Sequence, residues 1–520
     1  MSLFRAAATI GSLTLVSRIA GFVRDVLQAA LLGAGPAADA FLIAQRLPNL
    51  FRALFAEGAL NSAFVPMLGQ KMAADNAGTA AARRFAEAVL AVLLPFLILF
   101  TAVMVICAAP VVWALTGGFP DAAPGKFALT VHFTQLTFPY LMLISLVSLL
   151  GGLLNAVGRF AVNAAAPVLL NLVLIAGLLW SAGDDDVAAA GVQALCVTLG
   201  GAAQLLWLMW SCSRAGLGLR LRWPRLTDEV KRLLWLILPA AIGAGAVQIN
   251  LVISTALAAR FLDDGAVSWL YYADRLNQLP LGIIGIGVGT ALLPAMSRQL
   301  AAGDAASALA QQNRAIELVL LLTLPAAVGL AMLAVPIIAV LFQHGAFTAA
   351  DTSATAAALA AFALGLPAYV LIKVLTPGFH ARSDTRTPVR VALAAMLVNL
   401  VANLALVWPL GHIGIALGTA LAAWINAAAL WWLLARRGQF ALDARARRIL
   451  PRLAAATLAM LAVLAAAQAG MAGMVLPGFV GQAAALALLL GAGILAYLAA
   501  ARLFGVFTAA ALIAQLRRKS

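Results

Sequence analysis

The sequence predicts an all-α polytopic membrane protein with about fourteen transmembrane helices: two pseudo-symmetric six-helix lobes followed by two C-terminal helices. Its composition, its loop charges and an internal repeat support this. Of the 520 residues, 64% are hydrophobic and 10% are charged, and the mean hydropathy is +1.01. Soluble domains contain about 25% charged residues. Apolar runs of about 20 residues, long enough to cross a bilayer core of about 30 Å, recur along the chain.

The apolar runs define the predicted spans in order. They fall near residues 6–32, 37–69, 85–115, 127–157, 163–181, 187–212, 231–261, 267–298, 314–341, 353–379, 388–409, 413–435, 449–469 and 481–503. Several are longer than one perpendicular crossing requires, which predicts tilted or locally unwound helices.

Charge alternates between successive loops. Loops after even-numbered spans are rich in arginine, as at 214–232 and 436–448, whereas loops after odd-numbered spans carry aspartates, as at 184–186 and 263–264. Lys126 is nearly the only base in the acidic set. The positive-inside rule therefore predicts that both termini are cytoplasmic. This topology accounts for the net charge of +15, so no nucleic-acid partner is expected.

An internal repeat divides the chain. Pro66 and Pro294, Pro139 and Pro367, and Asn171 and Asn399 form matched pairs, each 228 residues apart. We predict an N-lobe at 1–220, a C-lobe at 221–440, and two further spans with a basic cytoplasmic tail at 441–520. Since six is an even number, both lobes share one orientation, and transporters built this way bind cargo where the halves meet.

Charged side chains interrupt the apolar runs and mark a candidate site. An arginine in hydrocarbon costs at least about 2.5 kcal/mol, so it persists only beside water, a counter-charge or an anionic cargo. The planar arginine fork suits a phosphate-bearing headgroup better than a cationic drug. The candidate substrate-binding residues are Arg18, Arg24 and Asp25 in span one; Asp39, Arg46, Asn49, Arg52 and Glu57 in span two; Asp274 and Arg275 in span eight; and Lys373 in span ten.

Two simpler explanations compete with this interpretation. Internal ion pairs, Arg24 with Asp39 or Arg52 with Glu57, could lock the lobe without binding cargo. Lys373 could extend its amine to the cytoplasmic surface. Spans one and two nevertheless contain four arginines against three acids, so internal pairing cannot neutralise them all.

No motif indicates catalysis. The chain lacks G-x-x-x-x-G-K-[ST], and its four histidines have no metal-ligand spacing. We therefore expect a transporter rather than an enzyme. It would have no cofactor or metal, and its energy would come from the membrane potential, an ion gradient or consumption of product outside.

Five stretches together resemble the MurJ (MviN) family of lipid II flippases, within the MOP/MATE-like exporter superfamily. They are SRIAGFVRD (17–25), ADAFLIAQRLPNLFRALFAEGALNSAFVP (38–66), FPYLMLISLVSLLGGLLNAVGRF (138–160), SWLYYADRLNQLP (268–280) and KVLTPGFHAR (373–382). The resemblance implies transfer of undecaprenyl-pyrophosphoryl-MurNAc-pentapeptide-GlcNAc from the cytoplasmic to the periplasmic leaflet by alternating access. It also implies a bacterial inner-membrane protein that acts as a monomer, with lipid II and membrane lipids as its partners.

The resemblance also implies site residues. Arg18, Arg24, Arg52 and Arg275 match the family's cavity arginines, and Asp25, Asp39, Asn49 and Glu57 match further polar positions. Arg46 replaces a lysine found in many relatives, and Gln278 replaces a glutamate found in some. The last two spans, 449–503, match helices thought to form a groove for the lipid tail. Two alternatives remain: a flippase for another polyprenyl-linked oligosaccharide, and an ion-coupled MATE-like exporter.

Overall fold

The computed structural model describes residues 3–52, 60–74, 79–119, 125–471 and 478–506. This part of the chain forms eighteen α-helices and one short π-helix and contains no strand. The predicted all-α class is therefore confirmed. Packing divides the chain into two compact units: unit 1 is Met1–Ser268 with His344–Phe347, and unit 2 is Trp269–Gln343 with Thr348–Ser520.

Unit 1 contains ten helices in the described residues. They are α1 (Leu3–Leu32), α2 (Pro36–Phe51), α3 (Leu60–Ala74), α4 (Thr79–Ile106), α5 (Ala108–Thr116), α6 (Lys126–Thr137), α7 (Pro139–Ala156), α8 (Phe160–Trp180), α9 (Asp186–Arg214) and α10 (Asp228–Phe261). Helix α8 packs between α1 and α9, α2 packs on α6, and α10 contacts α2, α3 and α5.

Proline and capping residues set several of these boundaries. Pro139 starts α7, where its fixed φ suits the first helical turn and its missing N–H is not needed. Asp185 caps α9 by accepting a hydrogen bond from the Ala188 N–H at 2.8 Å. The long predicted spans three and four are each divided in two, at Cys107 and at Phe138, which agrees with the local unwinding expected from their length.

Unit 2 contains the remaining helices of the described chain. They are α11 (Ala266–Pro280), whose first residues belong to unit 1; a π-helix (Leu281–Gly285); α12 (Ile286–Ala301); α13 (Ala305–Met332); α14 (Ala334–Phe342); α15 (Ala349–His380); α16 (Arg386–Arg436); α17 (Ala444–Met471); and α18 (Gly478–Leu503). Helix α15 packs against α12, α13, α14 and α16, and its residues dominate the apolar core of this unit.

Predicted spans eleven and twelve are joined in α16, in which the chain reverses direction at Gly411, so that Asn399 bonds to Thr419 across the reversal. Gly411 has φ 57° and ψ −135°, a combination that a residue with a side chain rarely adopts. The break expected between these two spans is therefore a reversal at one glycine rather than a loop.

The order of helix lengths repeats along the chain. Helices α1 to α5 have 30, 16, 15, 28 and 9 residues, and α10 to α14 have 34, 15, 16, 28 and 9. This agrees with the internal repeat. The lobe boundaries at 220 and 440 stay a prediction, since the packing units follow a different criterion and place α10 in unit 1.

Nine helical segments of the described residues are long and apolar enough to cross a membrane. They coincide with predicted spans three to six and nine to fourteen, with spans eleven and twelve counted once in α16. The chain is therefore a multi-pass membrane protein, and the total of fourteen spans stays a prediction.

Candidate substrate-binding site

Arg24 is buried on α1 and held by two side chains of unit 1. Its Nη2 and Nε donate to Asp25 Oδ1 at 2.6 and 3.1 Å, and its Nη1 donates to Asn171 Oδ1 at 3.2 Å. The Asn171 amide also donates to the Ser17 carbonyl at 3.0 Å. Gly21 lies beside the Asn171 side chain, and a Cβ at this position would meet it at an ordinary van der Waals distance of 3.5 Å. The guanidinium thus lies in a polar pocket between α1 and α8, away from lipid.

Arg18 lies six residues earlier on α1 and is exposed, as are Leu15 and Ile19 beside it. Arg18 and Asp25 are seven residues apart, a spacing that places two residues on nearly one face of a helix. Asp25 is nevertheless buried against Arg24, and no ion pair joins it to Arg18. Arg18 therefore remains available to an anionic ligand.

Arg52, directly after α2, donates from Nε to Asn49 Oδ1 at 3.2 Å, as side chains three residues apart on one helical face can. Arg46 is half-buried and lines a small cavity with Ile43, Thr116 and Thr255. Glu57 lies outside the described residues, so the alternative pair of Arg52 with Glu57 stays a prediction.

Asp39 is buried and accepts four hydrogen bonds. Its donors are Lys126 Nζ at 3.1 Å, Gly265 N at 2.8 Å, Ser268 N at 2.9 Å and Ser268 Oγ at 2.7 Å. Lys126 also pairs with Asp264 at 2.5 Å. The alternative pair of Arg24 with Asp39 is therefore wrong, because the Asp39 carboxylate is already satisfied by these donors.

The Asp39 carboxylate caps the first turn of α11. The N–H groups at a helix start lack internal partners and attract negative charge, which is why an acid from another helix is stabilising here. Sequence reasoning missed Lys126 as the counter-ion. The available signal was that Lys126 is nearly alone among the bases of the acidic loops.

In unit 2, the candidates on α11 are half-buried and joined to neighbours on their own helix. Asp274 accepts from Gln278 Nε2 at 2.5 Å, while Arg275 Nε donates to the Tyr271 hydroxyl at 3.2 Å. The Arg275 guanidinium also lies 5.2 Å from the centre of the Tyr271 ring. Such stacking orients a guanidinium and keeps its charge.

Lys373 is exposed on α15, although most of that helix is buried. Its stem lies near Gly285, at the end of the π-helix. Lys373 lies seven residues before the end of α15, or about 10 Å along the axis. The structure thus leaves its amine accessible, and both the cargo role and the extension to the cytoplasmic surface stay predictions.

The arrangement is suited to an anion. In unit 1, Asp25 and Asn171 orient the buried Arg24 and Asn49 orients the half-buried Arg52, while in unit 2 Tyr271 orients the half-buried Arg275. Two parallel N–H groups of one arginine match the oxygen spacing of a phosphate. The binding role of these residues stays a prediction.

Comparison with known proteins places the chain in a family. The family described as "Lipid II flippase MurJ" matches residues 28–489. The chain belongs to the MurJ family. A relative from Rhizobium tropici, named "Probable lipid II flippase MurJ", is 47% identical over 441 residues, which cover 84% of this chain and 82% of the relative.

Solved structures confirm the MurJ architecture. The structure titled "Lipid II flippase MurJ, inward closed conformation" has a TM-score of 0.78 at 26% identity and covers 95% of this chain and 98% of its own. An inward-facing multidrug resistance MATE family transporter of the MOP superfamily has a TM-score of 0.67 at 16% identity, covering 83% of this chain and 98% of its own. That second likeness shows the fold alone.

Proposed function

We propose that the chain is a flippase that transfers lipid II from the cytoplasmic to the periplasmic leaflet of the bacterial inner membrane. The observation that carries this proposal is membership of the MurJ family across residues 28–489, with relatives named as lipid II flippases at up to 47% identity. The alternating loop charges support cytoplasmic termini. We further propose that it acts as a monomer.

The arginines would bind the diphosphate of the cargo. Arg24 is already oriented by Asp25 and Asn171, so little side-chain entropy remains to be lost on binding. Arg18, Arg46, Arg52, Arg275 and Lys373 would supply the remaining positive charge. The polyprenyl tail could stay in lipid, because only the sugar–peptide headgroup requires a polar path.

No covalent step is needed for this transfer, so the protein acts as a transporter and not as an enzyme. The carrier would open alternately to each side of the membrane, with the membrane potential as the energy source. Moving one elementary charge through the field is worth about 2.3 kcal/mol per 100 mV. Collapsing the potential should therefore slow transfer; an unchanged rate would exclude this coupling.

Two other transport functions share the fold. A flippase for a different polyprenyl-linked oligosaccharide would use the same diphosphate contact. An ion-coupled exporter of cationic drugs fits less well, because Arg18, Arg24, Arg46 and Arg52 would repel such a cargo from α1 and α2.

Depletion of the protein in its bacterium tests the proposal. Lipid-linked precursors are extracted and assigned to a leaflet with a membrane-impermeant label. We expect lipid II to accumulate in a form that the label cannot reach from the periplasmic side. This accumulation should precede any change in the amounts of other polyprenyl-linked precursors. Accumulation of a different precursor, with lipid II labelled normally, would refute the assignment of cargo.

A further inference from the structure

The segment between α9 and α10, residues 215–227, is tied to unit 1 by a buried glutamate. We call this segment the basic linker. Glu87 on α4 is fully buried and accepts from Arg222 Nε at 2.6 Å and from the Arg220 backbone N–H at 3.2 Å. Arg83, one turn earlier on α4, lies 3.4 Å from the same carboxylate. The basic linker is therefore held in one place although it has no helical structure of its own.

The other side of the basic linker is apolar and exposed. Leu221, Trp223 and Leu226 have 69%, 83% and 59% of their surface accessible. They alternate with Arg220, Arg222 and Arg225. Leu221 and Trp223 flank Arg222, the residue bound to Glu87, and both remain largely exposed, so the contact with Glu87 leaves them accessible.

The flanking helices extend this surface. Trp210 near the end of α9 is exposed, with the Arg214 guanidinium 5.1 Å from its ring, and Trp235 in the first turns of α10 is 75% accessible. Tryptophan and arginine together are typical of the membrane–water interface, where the ring lies at headgroup depth and the cation near the phosphates.

We propose that the basic linker binds anionic phospholipid headgroups of the leaflet beside it, with Arg220 and Arg225 contacting phosphates and Trp223 inserted between headgroups. The basic linker contains three arginines and no acid. Glu87 neutralises Arg222. Among the described residues, no carboxylate lies within ion-pair distance of Arg220 or Arg225. The surplus charge therefore faces the membrane surface and fits an anionic headgroup better than a zwitterionic one.

The corresponding connection after α16 has a different surface. Asn313 on α13 holds it through the Ala441 carbonyl at 3.0 Å and the Asp443 N–H at 3.4 Å, as Glu87 holds the basic linker. Its charges are internally paired, with Arg437 bound to Asp384 and Arg314 bound to Asp443. Residues 437–443 therefore carry no surplus charge, unlike the basic linker.

Native mass spectrometry of the full chain in detergent tests this inference. Phosphatidylglycerol or phosphatidylcholine is titrated in, and apparent affinities are compared for the wild type, R220Q/R225Q and a control, R447Q/R448Q. The control removes two exposed arginines from the start of α17. Each surface base is worth about 1 kcal/mol toward anionic lipid, so R220Q/R225Q should bind phosphatidylglycerol about thirtyfold more weakly. Its phosphatidylcholine affinity should not change.

The control removes the same amount of charge from another exposed surface, so a site on the basic linker requires R220Q/R225Q to lose at least about tenfold more phosphatidylglycerol affinity than R447Q/R448Q. Equal losses of phosphatidylglycerol affinity in both double variants would mean that lipid binding depends only on total charge, and they would overturn a site on the basic linker. An unchanged affinity in R220Q/R225Q would overturn it too. A second measurement does not depend on these variants. Bromine-labelled phosphatidylglycerol should quench Trp223 fluorescence, taken as the difference between the wild type and W223F, more strongly than bromine-labelled phosphatidylcholine. Equal or absent quenching would contradict the proposal, whichever cargo the protein carries.

Discussion

At the residue scale, each buried charge in the described part of unit 1 has a defined partner, and the partner determines what a substitution does. Arg24 combines a charge with a fixed orientation, since Asp25 and Asn171 occupy part of its fork. Asp39 has a different environment, because four donors, one of them the Lys126 amine, surround one carboxylate. We therefore expect Arg24 to matter for cargo and Asp39 for stability.

Replacing Arg24 tests its cargo role. R24A should abolish complementation of a depletion strain while the protein level in membranes stays normal. R24K should retain only partial function, because an ammonium group lacks the planar fork. Losing a charge-assisted hydrogen bond costs about 1.5–3 kcal/mol, or roughly tenfold to a hundredfold in cargo affinity. R84A, at an exposed position on α4, is the matched control; full complementation by R24A would refute the role.

Replacing Asp39 tests its structural role. D39N should lower the free energy of unfolding by about 3–5 kcal/mol, because Lys126 is left buried and less well paired. The double variant D39N/K126M should be less destabilised than the sum of the single variants, since it removes both charges. Thermal unfolding in detergent measures this, and additive losses would show that the pair contributes nothing.

The sequence identified the charged residues inside the apolar runs, but it did not predict which residues pair with them. Arg24, Asp39 and Arg52 were identified because charges are rare in apolar runs. The pairing of Asp39 with Lys126 joins α2 to α6, and no periodicity within one helix contains that information. The neighbouring pair of Arg52 and Asn49 was predictable, because it lies within one helical turn.

At the element scale, the start of α16 is held by Asp384. This carboxylate accepts from the Thr387 hydroxyl at 2.6 Å, from the Thr387 N–H at 3.0 Å and from Arg437 Nη1 at 2.8 Å. The Thr387 hydrogen bonds, followed by Arg437, lower the pKa of Asp384 well below its usual range. The contacts join the start of α16 to its end.

Acid should therefore remove the contribution of Asp384. Since its pKa is lower in the folded than in the unfolded chain, the stabilisation is fully present above a pH of about 4 and falls as the pH drops further. D384N should lower the free energy of unfolding by about 1 kcal/mol at pH 7, as the loss of a capping residue does. Unfolding measured from pH 7 to pH 3 should show this difference shrinking; a difference independent of pH would contradict the assignment.

Helix positions were more predictable than helix continuity. The apolar runs located the spans, and the spans that are longer than one membrane crossing requires indicated local unwinding. The breaks themselves lie at Cys107, Phe138, Leu333 and the Leu281–Gly285 π-helix, where packing decides the backbone. Gly411 is the opposite case: the chain reverses between two predicted spans with a single glycine in the left-handed region.

At the scale of the whole molecule, the repeat extends to how each connection is anchored. Glu87 and Asn313 occupy the ninth positions of α4 and α13, and each binds the connection that follows the last helix of its repeat. This correspondence was not predictable, because the two residues differ in type and their partners lie more than a hundred residues away. The repeat itself was visible in proline and asparagine positions.

Proteolysis tests the anchoring of the basic linker. E87Q removes the charge that binds Arg222, so trypsin should cut after Arg220, Arg222 or Arg225 about tenfold faster, as expected for the loss of about 1.4 kcal/mol. Cleavage after Arg447 and Arg448 in the same digest is the internal control and should not change. Equal cleavage of the basic linker in E87Q and the wild type would show that Glu87 does not hold it.

The central claim is that this chain moves lipid II and uses its arginines to bind the diphosphate. Its most direct test is reconstitution of the purified chain into liposomes with fluorescent lipid II, scored by a membrane-impermeant quencher after transfer between leaflets. The account predicts transfer by the wild type, none by R24A/R275A, and slower or no transfer of a polyprenyl diphosphate bearing a different oligosaccharide. Transfer of lipid II by R24A/R275A at the wild-type rate would contradict it.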